Sequence, residues 1–321
     1  MTQTETIIPL VSILIPCYNA ERWVGDAIRS ALAQTYEPKE VIVVDDGSTD
    51  GSLEVMKSFG DAIRWESGPN RGACEARNRL TALSRGEWLQ YLDADDYLMP
   101  DKIAKQMDVV QQTDCDMVVS PWVTDTEGTL YAPDIRDPWV SFFESRIGNT
   151  ISNLWRKEVL LAAGGWDPRQ LRYEEGLLFV RMLVTGARVA CCPTAIAVAR
   201  SVNPASISHQ GVLSAVKHGA PVVDEATSFL ISSGAMTPER RFAAAMNLLR
   251  QARLLWHLGD KAWRQKEQWA NRIDPLLREK LRGSTSVYGA LYTLFGFPLA
   301  ERALRLSLRV KQIGRLVLRL A

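Results

Sequence analysis

The sequence predicts an α/β fold built on a mostly parallel sheet, followed by a helical C-terminal region. Three observations carry this. Compact apolar runs, VSILI (11–15), EVIVV (40–44) and EWLQYL (87–92), alternate with helical patterns, as in a sheet covered on both faces. Polar, turn-forming residues follow each run: Tyr18, then DDGSTDGS, then DADD. From about His209 the pattern becomes wholly helical.

Each element has its own signal. After VSILI, the residues Trp23, Val24, Ala27, Ile28, Ala31 and Leu32 recur at helical spacing, with Asn19 as the expected cap. EVIVV is the second strand, and DDGSTDGS is the turn that ends it. A short strand near Ile63 precedes a helix through Ala73–Leu83, and EWLQYL follows. DMVVS (116–120) and TISNLW (150–155) read as further strands. Helices are expected over Arg156–Ala163, stopped by Gly164 and Gly165, and over Glu174–Thr185, stopped by Gly186. In TPERRFAAAMNLLRQARLLWHL, Thr237 is the cap and Pro238 the first helical residue. A boundary near residue 205 divides the chain into 1–205 and a helical region, 206–321.

Composition excludes more than it selects. In 321 residues, 38 Lys and Arg stand against 37 Asp and Glu, so the net charge of +1 names no partner and nucleic acid is not expected. The five cysteines form no CxxC and read as reduced thiols of a cytoplasmic protein. The N-terminus has no basic segment of the kind that opens a signal peptide. The nearest approach to a membrane span, Ser284 to Ala300, is short and carries Gly289, Gly296 and Pro298. Neither GxxxxGK nor GxGxxG occurs in the first half, which disfavours P-loop phosphotransferases and dinucleotide dehydrogenases.

The chemistry begins at YLDADDYLMP (91–100), which sets Asp93, Asp95 and Asp96 at the end of a buried strand with no Lys or Arg among them. Along an extended strand end, Asp93 and Asp95 would face one spot. A hard divalent cation, Mg²⁺ or Mn²⁺, would relieve their repulsion and bridge to phosphate. The plain alternative is a turn, with Asp96 capping the helix that starts near Pro100. In open sheets ligands bind beyond the carboxyl ends of the strands, where Tyr18, Asp45, Asp46 and the Asp93–Asp96 run all fall.

Taken together, VSILIPCYNAERWVGDAIRSALAQTYEPKEVIVVDDGSTDGS, NRGACEARN and GEWLQYLDADDYLMPDKI resemble the family 2 glycosyltransferases of GT-A fold. The likeness is dense over 10–105 and thinner to about 205. It implies a Rossmann-like nucleotide-diphospho-sugar transferase domain acting by inversion with a divalent metal. Pro16 and Tyr18 match positions that line the nucleobase pocket. Asp46 matches the acid that bonds the base, with Asp45 beside it. Arg71 and Asn78 lie in the block that closes over the nucleoside. Asp93 and Asp95 match the motif that holds ribose and the metal–diphosphate. The Q-x-x-R-W signature of processive synthases is absent, which points to single additions.

An inverting transfer needs a general base. In GGWDPRQLRYEEGLLFVRML, Glu174 and Glu175 occupy the family's acidic pair and Arg181 its later arginine; Glu175 stands where the family usually has its catalytic Asp. Glutamate keeps the carboxylate and adds a methylene, which changes reach. The same pair also suits a helix N-terminus for dipole reasons alone. Asp167 is a weaker candidate for the base, since an Asp-Pro after two glycines is often structural. In ARSVNPASISH (199–209), Arg200 fits a phosphate cation, while Asn203 stands where many members have His.

The tail, from Leu299, carries a stripe of Leu299, Ala303, Leu306, Val310, Ile313, Val317 and Leu320 among arginines. Residues 299–321 then suit an anionic membrane surface, aided by Tyr288, Tyr292 and Phe295, or a helix packed on its own domain or a second subunit. The expected partners are a nucleotide-diphospho-sugar donor and a glycan or lipid-linked acceptor in envelope polysaccharide or glycolipid synthesis. The rival reading is a non-catalytic nucleotide-sugar-binding or scaffolding protein.

Overall fold

A computed structural model of the chain describes residues 8–126, 128–200, 212–282, 288–294 and 296–303. It divides into two compact units, which part within a helix between Val222 and Val223.

The first unit opens with β1 (Val11–Cys17), α1 (Val24–Leu32), β2 (Lys39–Asp45), α2 (Ser52–Lys57), β3 (Arg64–Ser67) and α3 (Ala73–Leu83). Next come β4 (Trp88–Tyr91), β5 (Tyr97–Leu98), α4 (Lys102–Gln112), β6 (Met117–Val119), β7 (Trp122–Thr124), β8 (Leu130–Tyr131) and α5 (Pro138–Phe143). β9 (Leu154–Arg156), α6 (Lys157–Ala162), α7 (Glu174–Val184), β10 (Val189–Cys191) and β11 (Ala197–Ala199) follow, and α8 (Val212–Ser232) crosses the division.

Seven strands form one sheet in the order β10-β6-β9-β4-β1-β2-β3. β1 lies parallel to both β2 and β4, and β9 runs antiparallel to β4 and β6. Continuous burial of Val11 to Ile15 and of Val41 to Val44 explains why these strands read as unbroken apolar runs. A second sheet, β5-β11-β7-β8, sits beyond the acidic turn. It was not expected, because none of its strands exceeds three residues and two have only two.

Two capping expectations are corrected. Asn19 does not cap α1: its backbone is left-handed at φ 49°, and its Oδ1 accepts from the Thr49 amide at 2.8 Å, joining the loops after β1 and β2. Asp96 does not cap α4, whose N-cap is Asp101. Asp96 instead accepts the Arg200 amide at 2.8 Å.

Beneath the acidic turn, Lys102 of α4 is wholly buried and donates to Gln90 of β4 and to Gln106 Oε1 at 2.7 Å. Gln106 passes its own donors to Ser120 and to the Ser152 carbonyl at 2.8 and 2.9 Å. Burial pushes the Lys102 amine well below its ordinary range. The network fixes α4 against β4, and so both ends of the turn between them.

In the second unit, α9 (Pro238–His257) packs on α10 (Trp263–Ile273), followed by α11 (Leu277–Arg282). Thr237 caps α9 as expected, its hydroxyl accepting the Arg240 amide at 3.3 Å. Residues 288–294 and 296–303 are helical. Tyr292 lies in this unit's core with its hydroxyl near Asn271 and Glu267, which corrects its reading as an interfacial aromatic. At the start of the tail, Ala300 and Glu301 are buried while Leu299 is 51% exposed. Glu301 pairs with Arg253 at 2.6 Å. Phe295 and the stripe from Leu306 onward lie outside the described residues, as do Asn203 and His209. Among the described residues no helix is long and apolar enough to cross a membrane.

Candidate active site

Two clusters form at the carboxyl ends of the parallel strands. The first lies past β2 and β3, around a cavity of about 200 Å³ lined by Asp45, Asp46, Pro69, Arg71 and Glu75, among others. Asp45 accepts from Ser67 Oγ at 2.7 Å and from the Ser48 amide at 3.1 Å. Asp46 accepts the Arg71 and Gly72 amides, each at 2.8 Å, one on each carboxylate oxygen. Gly72 stands at φ 93°, which turns its amide and that of Arg71 onto one carboxylate ahead of α3. Both aspartates therefore shape the cavity wall while retaining acceptor capacity. Pro16 is half-buried in β1 opposite Val44, and Tyr18, just past the strand, is 52% exposed.

The second cluster surrounds the acidic turn. Asp93 to Asp96 is not an extended strand end, as the alternation argument assumed. β4 stops at Tyr91, and the Asp96 amide donates back to the Asp93 carbonyl at 3.0 Å. The turn crowds three carboxyl groups together. Asp96 is buried, and that burial, with the charges of Asp93 and Asp95, pushes its carboxyl up to about 9.

Arg77, which the motif reading passed over, organises this cluster. It is 5% exposed on the inner face of α3. One terminal nitrogen donates to Asp93 Oδ1 at 2.9 Å and the other to Glu174 Oε1 at 3.2 Å. Its guanidinium lies 4.8 Å from the centre of the Trp166 ring. The signal was present in the sequence: Cys74, Arg77, Leu80 and Thr81 are spaced as one helix face, and all four are buried. A charged residue at a core position of that period needs a partner.

Glu175 is half-buried beside Glu174 at the start of α7. Burial foremost, with the negative charges of Glu174 and Asp93, raises its carboxyl to about 7, and Arg77 acts against them. The residue before the pair, Tyr173, is left-handed at φ 63°. A Cβ on Gly176 would fall 2.4 Å from the Tyr173 ring, so the missing side chain is what lets that ring fold over the helix start.

Asn78 does not face the nucleoside cavity. Its amide nitrogen donates to the Trp166 carbonyl at 2.7 Å, and its oxygen accepts the Trp166 amide at 3.0 Å, clipping the Gly164–Gly165 turn to α3. Asp167 accepts from Arg169 and Arg181, and the Arg169 bond foremost holds its carboxyl well below the usual range. Arg181 is thereby committed to this loop. Arg200 reaches Asp26 at 2.8 Å and lies over Tyr97.

A cation at the turn would find hard oxygen donors in Asp93 and Asp95, both half-buried, where carboxyl groups already repel one another. That chemistry fits Mg²⁺ or Mn²⁺. Among the described residues no three His, Cys, Asp or Glu side chains form a metal cage.

Residues 12–165 match the family model described as Glycosyl transferase family 2. Over 108 residues the chain is 44% identical to an uncharacterized glycosyltransferase of Rickettsia felis, covering 33% of this chain and 18% of that protein. Against one of Haemophilus influenzae, the figures are 37% over 108 residues, covering 32% and 43%. A chondroitin synthase of Pasteurella multocida is 43% identical over 99 residues, which are 30% of this chain and 10% of that one. The chain thus spans less than half the length of these relatives. Among solved structures, S. aureus TarS 1–349 in complex with UDP-GlcNAc aligns with a TM-score of 0.68 at 17% identity, covering 94% of this chain and 92% of that one. The mannosyltransferase PcManGT of Pyrobaculum calidifontis, in complex with GDP-Man and Mn²⁺, aligns at 0.55 and 17% identity, covering 90% and 88%. These likenesses give the α/β first unit its GT-A fold.

Proposed function

Because residues 12–165 form a family 2 glycosyltransferase domain, we propose that the chain moves a sugar, with inversion, from a nucleotide-diphospho-sugar to a hydroxyl of a glycan or lipid-linked acceptor. The observation that carries this reading is the shared guanidinium of Arg77. It holds Asp93, from the acidic turn, and Glu174, next to Glu175, within one cluster. A donor-side carboxylate beside a general-base candidate is the arrangement that breaking the bond between sugar and diphosphate there would need. The UDP-GlcNAc bound to TarS and the GDP-Man bound to PcManGT support the donor class, and the Mn²⁺ of the latter supports the metal.

In this reading Asp45, Asp46 and Arg71 bound the nucleobase side, with Pro16 and Tyr18 along its edge. Asp93 and Asp95 hold the divalent cation, which supplies electrostatic stabilisation of charge developing on the departing diphosphate. Glu175 takes the proton of the acceptor hydroxyl, and a carboxyl raised toward neutrality is a stronger base than an ordinary one. Arg200 meets phosphate by exchanging it for Asp26. Asn78 serves by pinning the Trp166 turn, and so acts at a distance from the nucleoside. Residues 299–321 place the enzyme on the cytoplasmic face of an anionic membrane, where a lipid-linked acceptor is found.

The test is turnover of UDP-, GDP- and dTDP-sugars with Mn²⁺. Glu175→Gln is expected to retain nucleotide binding and lose about 10²-fold or more of turnover. Full turnover by that variant would remove Glu175 from the role.

A further inference from the structure

We propose that Arg77 is a positioning residue which sets the base-bearing start of α7 against the donor carboxylate Asp93, so that the two halves of the site are aligned by one side chain. The inference deepens the transferase reading and rests on it.

Four observations lead to it. Arg77 is almost fully buried on a helix face otherwise made of Cys74, Leu80 and Thr81. Burying a guanidinium is costly unless its charge is matched. The match comes from two segments far apart in sequence, Asp93 sixteen residues on and Glu174 ninety-seven residues on. The Trp166 ring under the guanidinium, and the Asn78 clip on the Trp166 backbone, hold the fork in one orientation.

Arg77 spends its two terminal nitrogens on the acidic turn and on the residue next to Glu175, while its Nε has no acceptor among the described residues. Tyr173, just before the pair, is held in the left-handed region, where a non-glycine residue persists only if its surroundings enforce it. The pull of Arg77 on Glu174 is one such enforcement. Its consequence is geometric: displacing Glu174 turns the first residues of α7 and moves the Glu175 carboxylate away from the acceptor hydroxyl. Arg77 need not touch either substrate.

The distinguishing experiment compares Arg77→Met, Arg77→Lys and Glu174→Gln with the unmodified chain. UDP-GlcNAc and GDP-mannose with Mn²⁺ are the probes, hydrolysis or transfer is the readout, and melting curves confirm folding. Arg77→Met is expected to lower kcat about 100-fold, the loss that misplacing a reacting group brings, with donor KM changed no more than about threefold. Arg77→Lys, which keeps the charge but reaches one carboxylate at a time, recovers about a tenth of the wild-type kcat. Glu174→Gln lowers kcat and leaves KM unchanged, and it keeps the question open to test if Arg77→Met fails to fold. A loss seen in KM alone, or kcat unchanged in Arg77→Met and Glu174→Gln, overturns the inference and leaves the transferase reading in place. If the unmodified chain neither binds nor turns over either probe, the transferase reading falls, and the inference with it.

Discussion

Glu175 carries a proton until about pH 7, because it is half-buried beside Glu174 and within the field of Asp93. A base must be unprotonated to work, so kcat is expected to rise with pH through about 7 and then level. The same raised value works against folding: between the ordinary carboxylate range and about pH 7 the unfolded chain binds fewer protons than the folded one, so this group's contribution to stability falls as pH rises. A pH–rate profile whose lower limb lies near the ordinary range for Glu, 4.5, would contradict the assignment. The motif reading singled out Glu175, Asp93 and Asp95 because their types and spacing are distinctive. Arg77 escaped it because an arginine in a helical pattern ordinarily reads as solvated surface, and only the buried face of α3 reveals otherwise. Asn78 and Arg200 were legible as positions but not as contacts. What their polar groups bond, Trp166 and Asp26, lies 88 and 174 residues away.

Among the elements, long buried strands and helices with clear stops were legible. The expected helix Ala73–Leu83 has the observed limits, and the Gly186 stop and Thr237 cap hold. The second sheet was not legible, since β5 and β8, each a residue pair, are too short to show alternation. TISNLW was displaced for a related reason. Only its last two residues enter β9, because Ser152 and Asn153 are used in turn bonds with Asn149 and Ile147. The turn between α6 and α7 is the element that leads into the proposed base at Glu175. Gly165, at φ 66°, has its missing Cβ 3.1 Å from Asn78 Oδ1. Gly165→Ala is therefore expected to cost about 1–2 kcal/mol from backbone strain, with further loss if the Asn78 clip yields. A melting temperature unchanged from wild type would show that the clip is not under the constraint described.

For the whole molecule, the family match ends at residue 165, whereas α7, with Glu175, comes after it. The proposed site residues from Pro16 to Asp95 thus lie inside the matched block, and Arg200 and the proposed base Glu175 lie beyond it. The tail's role belongs to this scale too. Deletion of 304–321 is expected to abolish co-sedimentation with anionic phosphatidylglycerol vesicles at low salt while leaving sugar-nucleotide turnover intact. Vesicle binding that survives the deletion would assign attachment to another surface. In the proposed reaction the acidic turn holds a divalent cation and a nucleoside diphosphate together. The most direct measurement of this is calorimetric titration of UDP, GDP and dTDP, with and without Mn²⁺, on the wild-type chain and on Asp95→Ala. Binding of one nucleotide is expected, requiring Mn²⁺ and lost in Asp95→Ala. Binding that is indifferent to both the metal and the substitution would contradict it.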